Sequence, residues 1–305
     1  MGKIFFIAKF TSAIALVFTA TLNYSNFALA NDPFRSENPR DIGEHTEEAF
    51  ETIFFLGDYK GAKEPLQLAQ QESTNEPLAY ALLASLAFTE RDWDTLNVYA
   101  QKTLQTADAL KDTDPLRSNL YLAVGHFMEG TYRYEEEGAV SAIQKLQLVF
   151  KHFDAAEDID PNDPELNLIK GYVDLLLAVN LPFSSPEQAI ERFETYASPE
   201  YLVDRGIAVA YRDLKDYDKA LDFVNQALEI APDNPEHYYL KGQILRKIGK
   251  KNEDIATLEK ALDHFSRAAS LEEQLPEFIV KPLKREIRQT QETIDEIKAM
   301  NAINL

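Results

Sequence analysis

Residues 201–234 read YLVDRGIAVAYRDLKDYDKALDFVNQALEIAPDN, and this stretch decides the fold. Its second half, Val224-x-x-Ala227-x-x-Ile230-x-Pro232, repeats the pattern Phe153-x-x-Ala156-x-x-Ile159-x-Pro161 that lies 71 residues upstream. A shorter spacing of 34 residues joins Gly57-Asp58-Tyr59 to Arg91-Asp92-Trp93, and the longer spacing is close to two such periods. A period near 34 is typical of paired antiparallel helices, which stack into a superhelix because each is too small to bury its own apolar face.

Within one period, several residues have a mechanical role that can be read from their type. Small Ala220 and Ala227 let a second helix pack closely, Tyr211 and Val224 fill the space between helices, and Pro232 ends the unit without continuing its helix. The informative positions are Tyr211, Asp216-Tyr217-Asp218-Lys219-Ala220-Leu221, Ala227-Leu228 and Pro232-Asp233-Asn234. With these residues the unit resembles a tetratricopeptide repeat, which has a helix A, a short turn, a helix B and a proline-bearing exit.

The resemblance covers residues 43–275 unevenly and implies about six helix pairs, which form an all-α, right-handed superhelical solenoid. Gly125 and Gly171 are 46 residues apart, so we predict an elongated helix pair around residues 132–160. Asp204 departs from the family pattern, because a bulky apolar residue is usual at its position. In the sixth repeat the run from Ala261 to Leu271 predicts a second helix about two turns further along than Gly249 implies.

After the repeats, residues 276–305 read as one charged helix with a single apolar stripe. The stripe consists of Leu283, Ile287, Ile294, Ile297 and Met300. We predict a C-terminal capping helix, because the open end of a solenoid exposes an apolar face that needs covering. A dimerisation or docking helix is the alternative interpretation.

The N-terminal 30 residues follow the pattern of an export signal. Lys3 and Lys9 lie in or beside the basic region, an apolar run follows, and Ala28-Leu29-Ala30 fits a signal peptidase site. We predict a signal peptide over residues 1–30 and a flexible segment over 31–42; an uncleaved membrane anchor is the alternative. The chain has no cysteine, which fits a bacterial periplasm, or the thylakoid lumen if the source is cyanobacterial.

Composition excludes several classes of protein. The 305 residues include 31 Lys plus Arg and 51 Asp plus Glu, and removing residues 1–30 changes the formal charge from −20 to −22. Such a surface repels phosphate backbones and anionic lipid headgroups, so we predict no nucleic-acid binding and, after signal cleavage, no membrane insertion. Only 11 glycines disfavour an all-β fold, because its many turns need residues that tolerate positive φ.

Sequence motifs for catalysis are missing. The chain has no nucleophile elbow, phosphate-binding loop, dinucleotide fingerprint or His-Glu-x-x-His motif, and its five histidines are scattered. We therefore predict a non-enzymatic protein without cofactor or metal. The competing class is an envelope hydrolase acting on carbohydrate, which would need a pocket with two carboxyl groups roughly 5 to 10 Å apart and one raised pKa.

The resemblance implies a binding surface, because helix A of each repeat lines the inner groove of this family. Mapping its exposed positions onto repeats five and six selects seven residues, named here the basic strip: Arg205, Val209, Arg212, Tyr239, Gln243, Arg246 and Lys247. Guanidinium groups hold carboxylates through two parallel hydrogen bonds, so the basic strip is predicted to bind an acidic segment or the C-terminus of a protein partner. Alternatively, these cations neutralise neighbouring acids such as Asp204, Asp213 and Glu236.

A second groove is predicted at repeats one and two. Its residues are apolar with an acidic rim: Glu47, Glu51, Phe54, Phe55, Leu78 and Phe88. It would take a basic or apolar peptide, unless the aromatic side chains pack the solenoid instead. The preferred function is an exported interaction scaffold or assembly factor that binds a partner segment in the concave groove.

Overall fold

The computed structural model describes residues 32–180 and 186–303, so the predicted signal peptide lies outside it. The described residues are helical with no strand, and they form thirteen helices. These are α1 (Glu44–Phe54), α2 (Lys63–Glu72), α3 (Pro77–Glu90), α4 (Trp93–Ala109), α5 (Pro115–Glu137), α6 (Ala139–Glu157), α7 (Pro164–Asn180), α8 (Pro186–Thr195), α9 (Glu200–Leu214), α10 (Tyr217–Ile230), α11 (Pro235–Asn252), α12 (Ile255–Ala269) and α13 (Glu277–Ile303).

The helices pair in the order of the sequence, and the pairs stack one after another. Helices α1 to α12 make six pairs, and α13 packs against the last of them. This confirms the prediction of an all-α solenoid with about six helix pairs and a C-terminal capping helix. No helix in the described part of the protein is both long enough and apolar enough to cross a membrane.

Short polar motifs set where the helices begin. Before the first helix of several pairs an acid or asparagine precedes a proline: the Glu76 carboxylate accepts from the Leu78 N–H at 2.8 Å, and the Asn234 side chain accepts from the Glu236 N–H at 2.9 Å. The proline that follows is well suited to the first helical position. An N–H group there would have no acceptor within the helix, so its absence costs nothing, and the fixed φ of proline matches that of the first turn. Aspartates 92 and 216 cap the second helices α4 and α10 in the same way.

Glycine on the first helix of a pair makes room for an aromatic ring from a second helix. Phe193 of α8 lies between Gly171 of α7 and Gly206 of α9, and a Cβ built on either glycine would come within 2.6 Å of the ring. Phe265 of α12 stands in the same relation to Gly242 of α11. The core is therefore continuous from pair to pair, as nearest-neighbour stacking requires.

Two irregularities predicted from spacing are confirmed. The third pair is long, with 23 residues in α5 and 19 in α6. In the sixth pair Ala261, Phe265 and Ala268 are all fully buried, so α12 adopts the register that this run predicts. In α13 the stripe residues Leu283, Ile294 and Ile297 are buried, while Met300 at the far end is exposed.

The solenoid closes on itself. The Asn234 Nδ2 group donates to the Phe54 carbonyl at 2.9 Å, and the Tyr59 hydroxyl donates to Glu236 at 3.1 Å. The Tyr59 N–H also donates to the Gln274 carbonyl at 3.0 Å, and α13 contacts α3. The first repeat therefore meets the sixth, which closes the solenoid at this edge.

The segment before α1 differs from its prediction. Residues 31–42 are predicted to be flexible, but Phe34 and Ile42 are each only 2% exposed and Phe34 packs edge-on against Phe50. The Asp32 carboxylate accepts hydrogen bonds from the N–H groups of Phe34 and Arg40, which folds the segment into a loop. From residue 32 onward the segment is thus a packed part of the fold, because it carries apolar side chains that the solenoid buries.

Candidate functional site

The first turns of α5 and α7 bind the N-terminal segment through ion pairs. Arg40 contacts three carboxylates, those of Asp114 at 3.0 Å, Asp163 at 3.4 Å and Glu165 at 2.8 Å. Arg35 adds a second contact to Asp163, at 2.6 Å. Acids at the start of a helix also interact favourably with the helix dipole. These carboxylates are therefore stabilised both by the arginines and by the helices that they precede or begin.

Glu165 is the centre of this cluster and is completely buried. Besides Arg40, it accepts a hydrogen bond from the Tyr121 hydroxyl at 2.5 Å. Nearby, Arg117 forms two hydrogen bonds with Glu76, at 2.5 and 2.9 Å. Burial and the neighbouring Glu165 raise the pKa of Asp163 in spite of its two arginines. The first helices of the pairs line the inner side of the solenoid and are called the inner helices. At α5 and α7, their N-terminal edge is therefore covered by residues of the protein itself.

The basic strip is divided between buried and accessible residues. Arg205 is 8% exposed, and its guanidinium donates to Glu236 at 2.6 Å. Glu236 also accepts from Tyr59, so Arg205 joins the first repeat to the sixth rather than facing a groove. Arg205 therefore acts in the fold, as in the alternative interpretation that these cations neutralise neighbouring acids. Val209 is half-buried against the core.

The remaining members of the basic strip come together across three helices. Arg212 of α9 donates to the Gln243 side chain of α11 at 2.9 Å, and Gln243 donates to Glu286 of α13 at 3.0 Å. Tyr239 also donates to Glu286, at 3.2 Å. Arg212 is paired with its neighbour Asp213 as well. A carboxylate from the capping helix thus already sits among these side chains.

Arg246 and Lys247 are the residues of the basic strip whose charges are best placed to bind a partner. Arg246 donates to Gln289 of α13 at 3.2 Å and forms no ion pair with any described residue, while Lys247 is exposed. Sequence reasoning missed the lysines that extend this surface. Exposed Lys215, Lys250 and Lys251 lie at the C-terminal ends of α9 and α11, where the helix dipole favours cations. The sequence alone shows that Lys250 and Lys251 are adjacent at the end of α11.

The second predicted groove is mostly core. Phe54, Leu78 and Phe88 are at most 3% exposed, and Phe55 packs against Tyr201 with ring centroids 6.0 Å apart. These side chains pack the solenoid, as the alternative interpretation has it. Glu47 and Glu51 remain half-buried on α1, and burial together with the charge of Glu51 raises the pKa of Glu47 to about 7.

The histidines that the structure describes are all partly or fully buried. His126 and His152 stack with centroids 5.6 Å apart, and burial lowers the pKa of each. Burial also lowers the pKa of His237 to about 3. Within residues 32–180 and 186–303 no group of three potential ligands is arranged to hold a metal ion. Glu47 and Glu51 on α1 both have raised pKa values, and the cause is burial with a smaller contribution from neighbouring carboxylates.

Comparison with known proteins gives two family matches. Models described as tetratricopeptide repeat match residues 205–234 and residues 236–263. The first region spans most of α9 and α10, and the second covers α11 and the first part of α12, so both matches fall on the helices that carry the basic strip. No curated protein matches the sequence.

Proposed function

We propose that this chain, in which two regions match tetratricopeptide-repeat models, is a non-enzymatic, exported scaffold that binds an acidic segment of a protein partner. Such repeats are typically protein-interaction scaffolds without catalytic activity. The binding surface that we propose comprises Arg212, Gln243, Arg246 and Lys247, on the C-terminal halves of α9 and α11. The recognised group would be the carboxylate of an Asp or Glu residue or that of the partner's C-terminus.

One observation carries this proposal: two side chains of α11 already hold a carboxylate, and Arg212 of α9 donates to one of them. Glu286 accepts hydrogen bonds from Tyr239 and Gln243, and Gln243 in turn accepts from Arg212. The surface therefore has the donors and spacing that a carboxylate needs. Arg246 and Lys247 lie in the next turn of α11, with no carboxylate of the described residues paired to them.

The proposed binding surface lies at the C-terminal ends of the inner helices because their N-terminal ends are already covered by other residues of the protein. Arg35, Arg40 and Tyr59 fill the N-terminal edge of the inner helices, so an incoming segment has to approach from their C-terminal ends. That edge carries the exposed lysines 215, 247, 250 and 251. The protein has a formal charge of −20, so this basic edge differs from the rest of its surface. An acidic partner would be attracted to this edge.

Export to a periplasm or thylakoid lumen is part of the same proposal. It is supported by the basic, apolar and Ala28-Leu29-Ala30 regions of the leader and by the absence of cysteine. Fractionation of cells that express the full sequence, with N-terminal sequencing of the recovered protein, tests it. A mature N-terminus at Asn31 is the expected result, and an intact leader in the cytoplasmic fraction would contradict it.

A defined peptide tests the binding surface. We expect a fluorescein-labelled deca-glutamate peptide to bind the wild-type protein with a salt-dependent affinity measured by fluorescence polarisation. The double variant Arg246→Glu with Lys247→Glu should bind at least about tenfold more weakly, because both exchanges place like charge beside the peptide. Crosslinking in the native envelope followed by mass spectrometry would then identify the partner.

A matched control separates the surface from net charge. Lys102→Glu with Lys111→Glu changes the charge by the same amount at exposed positions in and after α4. This control should bind the peptide much as the wild type does, apart from a small long-range effect. Equal losses in both double variants would overturn the proposal.

A further inference from the structure

The α5–α6 hairpin projects beyond its neighbours. Arg40 contacts both Asp114 and Asp163, so α5 and α7 begin side by side. Since α5 has 23 residues and α7 has 17, the far end of α5 extends about 9 Å beyond α7 at 1.5 Å per residue. The first half of α6 therefore stands out from the solenoid.

This projecting part of α6 has apolar residues on its outer face. Val140 is 74% exposed, Ile143 57% and Phe150 38%, and exposed Gln147 lies between the last two. The opposite face is already used, because Val149, Phe153 and Ala156 are buried in the core. We name residues 140, 143, 147 and 150 the α6 stripe. An exposed, mostly apolar patch of this kind is typical of an interaction surface.

The spacing of the α6 stripe specifies its partner. Intervals of three, four and three residues are those of a coiled-coil seam, and they are symmetric about residue 145. In an antiparallel pair of α6 helices related by a two-fold axis at that point, Val140 of each copy faces Phe150 of the other. Ile143 likewise faces Gln147. The same patch is then self-complementary, as a two-fold interface requires.

Charge selects the antiparallel arrangement over the parallel one. From residue 139 to residue 153 the helix carries Lys145 and Lys151 and no acid, and Lys151 is exposed. Antiparallel pairing places Lys151 of one copy near exposed Glu136 of the other, at the end of the hairpin. Parallel pairing would place the two Lys151 side chains together, which is unfavourable.

We propose that the α6 stripe binds the α6 stripe of a second copy, so that the protein forms a two-fold antiparallel dimer. The capping helix α13 is a poorer candidate, since Leu283, Ile294 and Ile297 are already buried against the last repeats. The dimer is independent of the proposed binding of an acidic partner, because the basic strip lies on α9 and α11.

Sedimentation of the mature protein tests self-association. The wild type should be dimeric at about 100 µM, and Ile143→Glu should raise the dimer dissociation constant at least about tenfold. Val98→Glu is the matched control, since Val98 is 56% exposed on α4, and it should leave the constant unchanged. Unchanged thermal melting of Ile143→Glu would show that it folds. A monomeric wild type, or an unaffected Ile143→Glu dimer, would overturn the proposal.

Disulfide trapping tests the orientation, and the absence of native cysteine makes it clean. An equimolar mixture of the Val140→Cys variant and the Phe150→Cys variant should form disulfides between unlike copies. Each variant alone should give little product, because the two copies of one position are about 15 Å apart along the pair. Disulfides predominantly between like copies, or none in the mixture, would contradict the antiparallel dimer.

Discussion

At the scale of single residues, Asp204 is the clearest departure from pattern. It occupies a position where an apolar side chain is usual, it is 4% exposed, and its Oδ2 atom has no hydrogen-bond partner among the described residues. Burial, with a further contribution from Glu200, raises the pKa of its carboxyl group to about 7. The ionised form is thus disfavoured in the folded protein.

Replacing Asp204 should change how stability depends on pH. With a pKa of about 7 when folded against 3.8 for the ordinary group, the wild type loses stability as pH rises from about 4 to 7. Asp204→Asn removes this loss, so its stability relative to the wild type should be about 1 to 3 kcal/mol more favourable at pH 8 than at pH 4. Urea unfolding at both pH values measures it, with exposed Asp218→Asn as control. A pH-independent difference would contradict it.

At the scale of secondary-structure elements, α13 shows how a terminal helix stabilises a solenoid. Ile294 and Ile297 pack with Leu258 of α12, and all three are at most 5% exposed. Without this contact the outer face of the sixth pair would lie in water. The helix is thus both the end of the core and the source of Glu286 and Gln289, which touch the basic strip.

Two aspartate substitutions on α13 should separate its buried and exposed faces. Ile294→Asp places a charge in a fully buried position and should cost about 3 to 5 kcal/mol of unfolding free energy. Met300→Asp, near the end of the same helix and 49% exposed, should cost less than about 0.5 kcal/mol. Chemical denaturation measures both. Similar costs would show that α13 does not cap the solenoid.

At the scale of the whole molecule, closure of the solenoid depends on residues 32–59. Arg35 and Arg40 neutralise the acids at the starts of α5 and α7, and Tyr59 and Phe54 bond to the start of α11 and its neighbours. The contacts to α7 and α11 join parts of the sequence that are more than 120 residues apart. The six helix pairs are thereby held as a closed unit rather than as an open spiral.

Removing one guanidinium should weaken this closure. Arg40→Ala leaves Glu165, which is completely buried, without its closest cation and should cost about 3 kcal/mol. Arg133→Ala, which removes a surface pair with Glu137, should cost less than about 1 kcal/mol. Urea unfolding and limited tryptic proteolysis after Arg35, which both variants retain, provide the measurements. An Arg40→Ala cost no larger than that of Arg133→Ala would refute a role in closure.

Local features of the sequence were sufficient for the architecture. The repeat spacings and the alanines that let a second helix pack closely predict about six pairs. The 46 residues between Gly125 and Gly171 predict the long third pair, the run from Ala261 to Leu271 predicts the register of α12, and the apolar spacing after Pro282 predicts the stripe of α13. These features depend on neighbours within one repeat or the next, so a single sequence contains them.

Which residues of the basic strip stay accessible depends on contacts between distant parts of the chain, and the sequence near each residue does not indicate these contacts. Arg205 and Arg212 occupy equivalent faces in sequence, yet Arg205 is buried against Glu236 because the first repeat covers it, whereas Arg212 remains at the accessible edge. Glu286 enters the basic strip from a helix 43 residues beyond Gln243. The sequence by itself therefore determined the repeats and their stacking; only the tertiary structure decided which inner edge is closed and which cations stay accessible, because closure brings distant segments together.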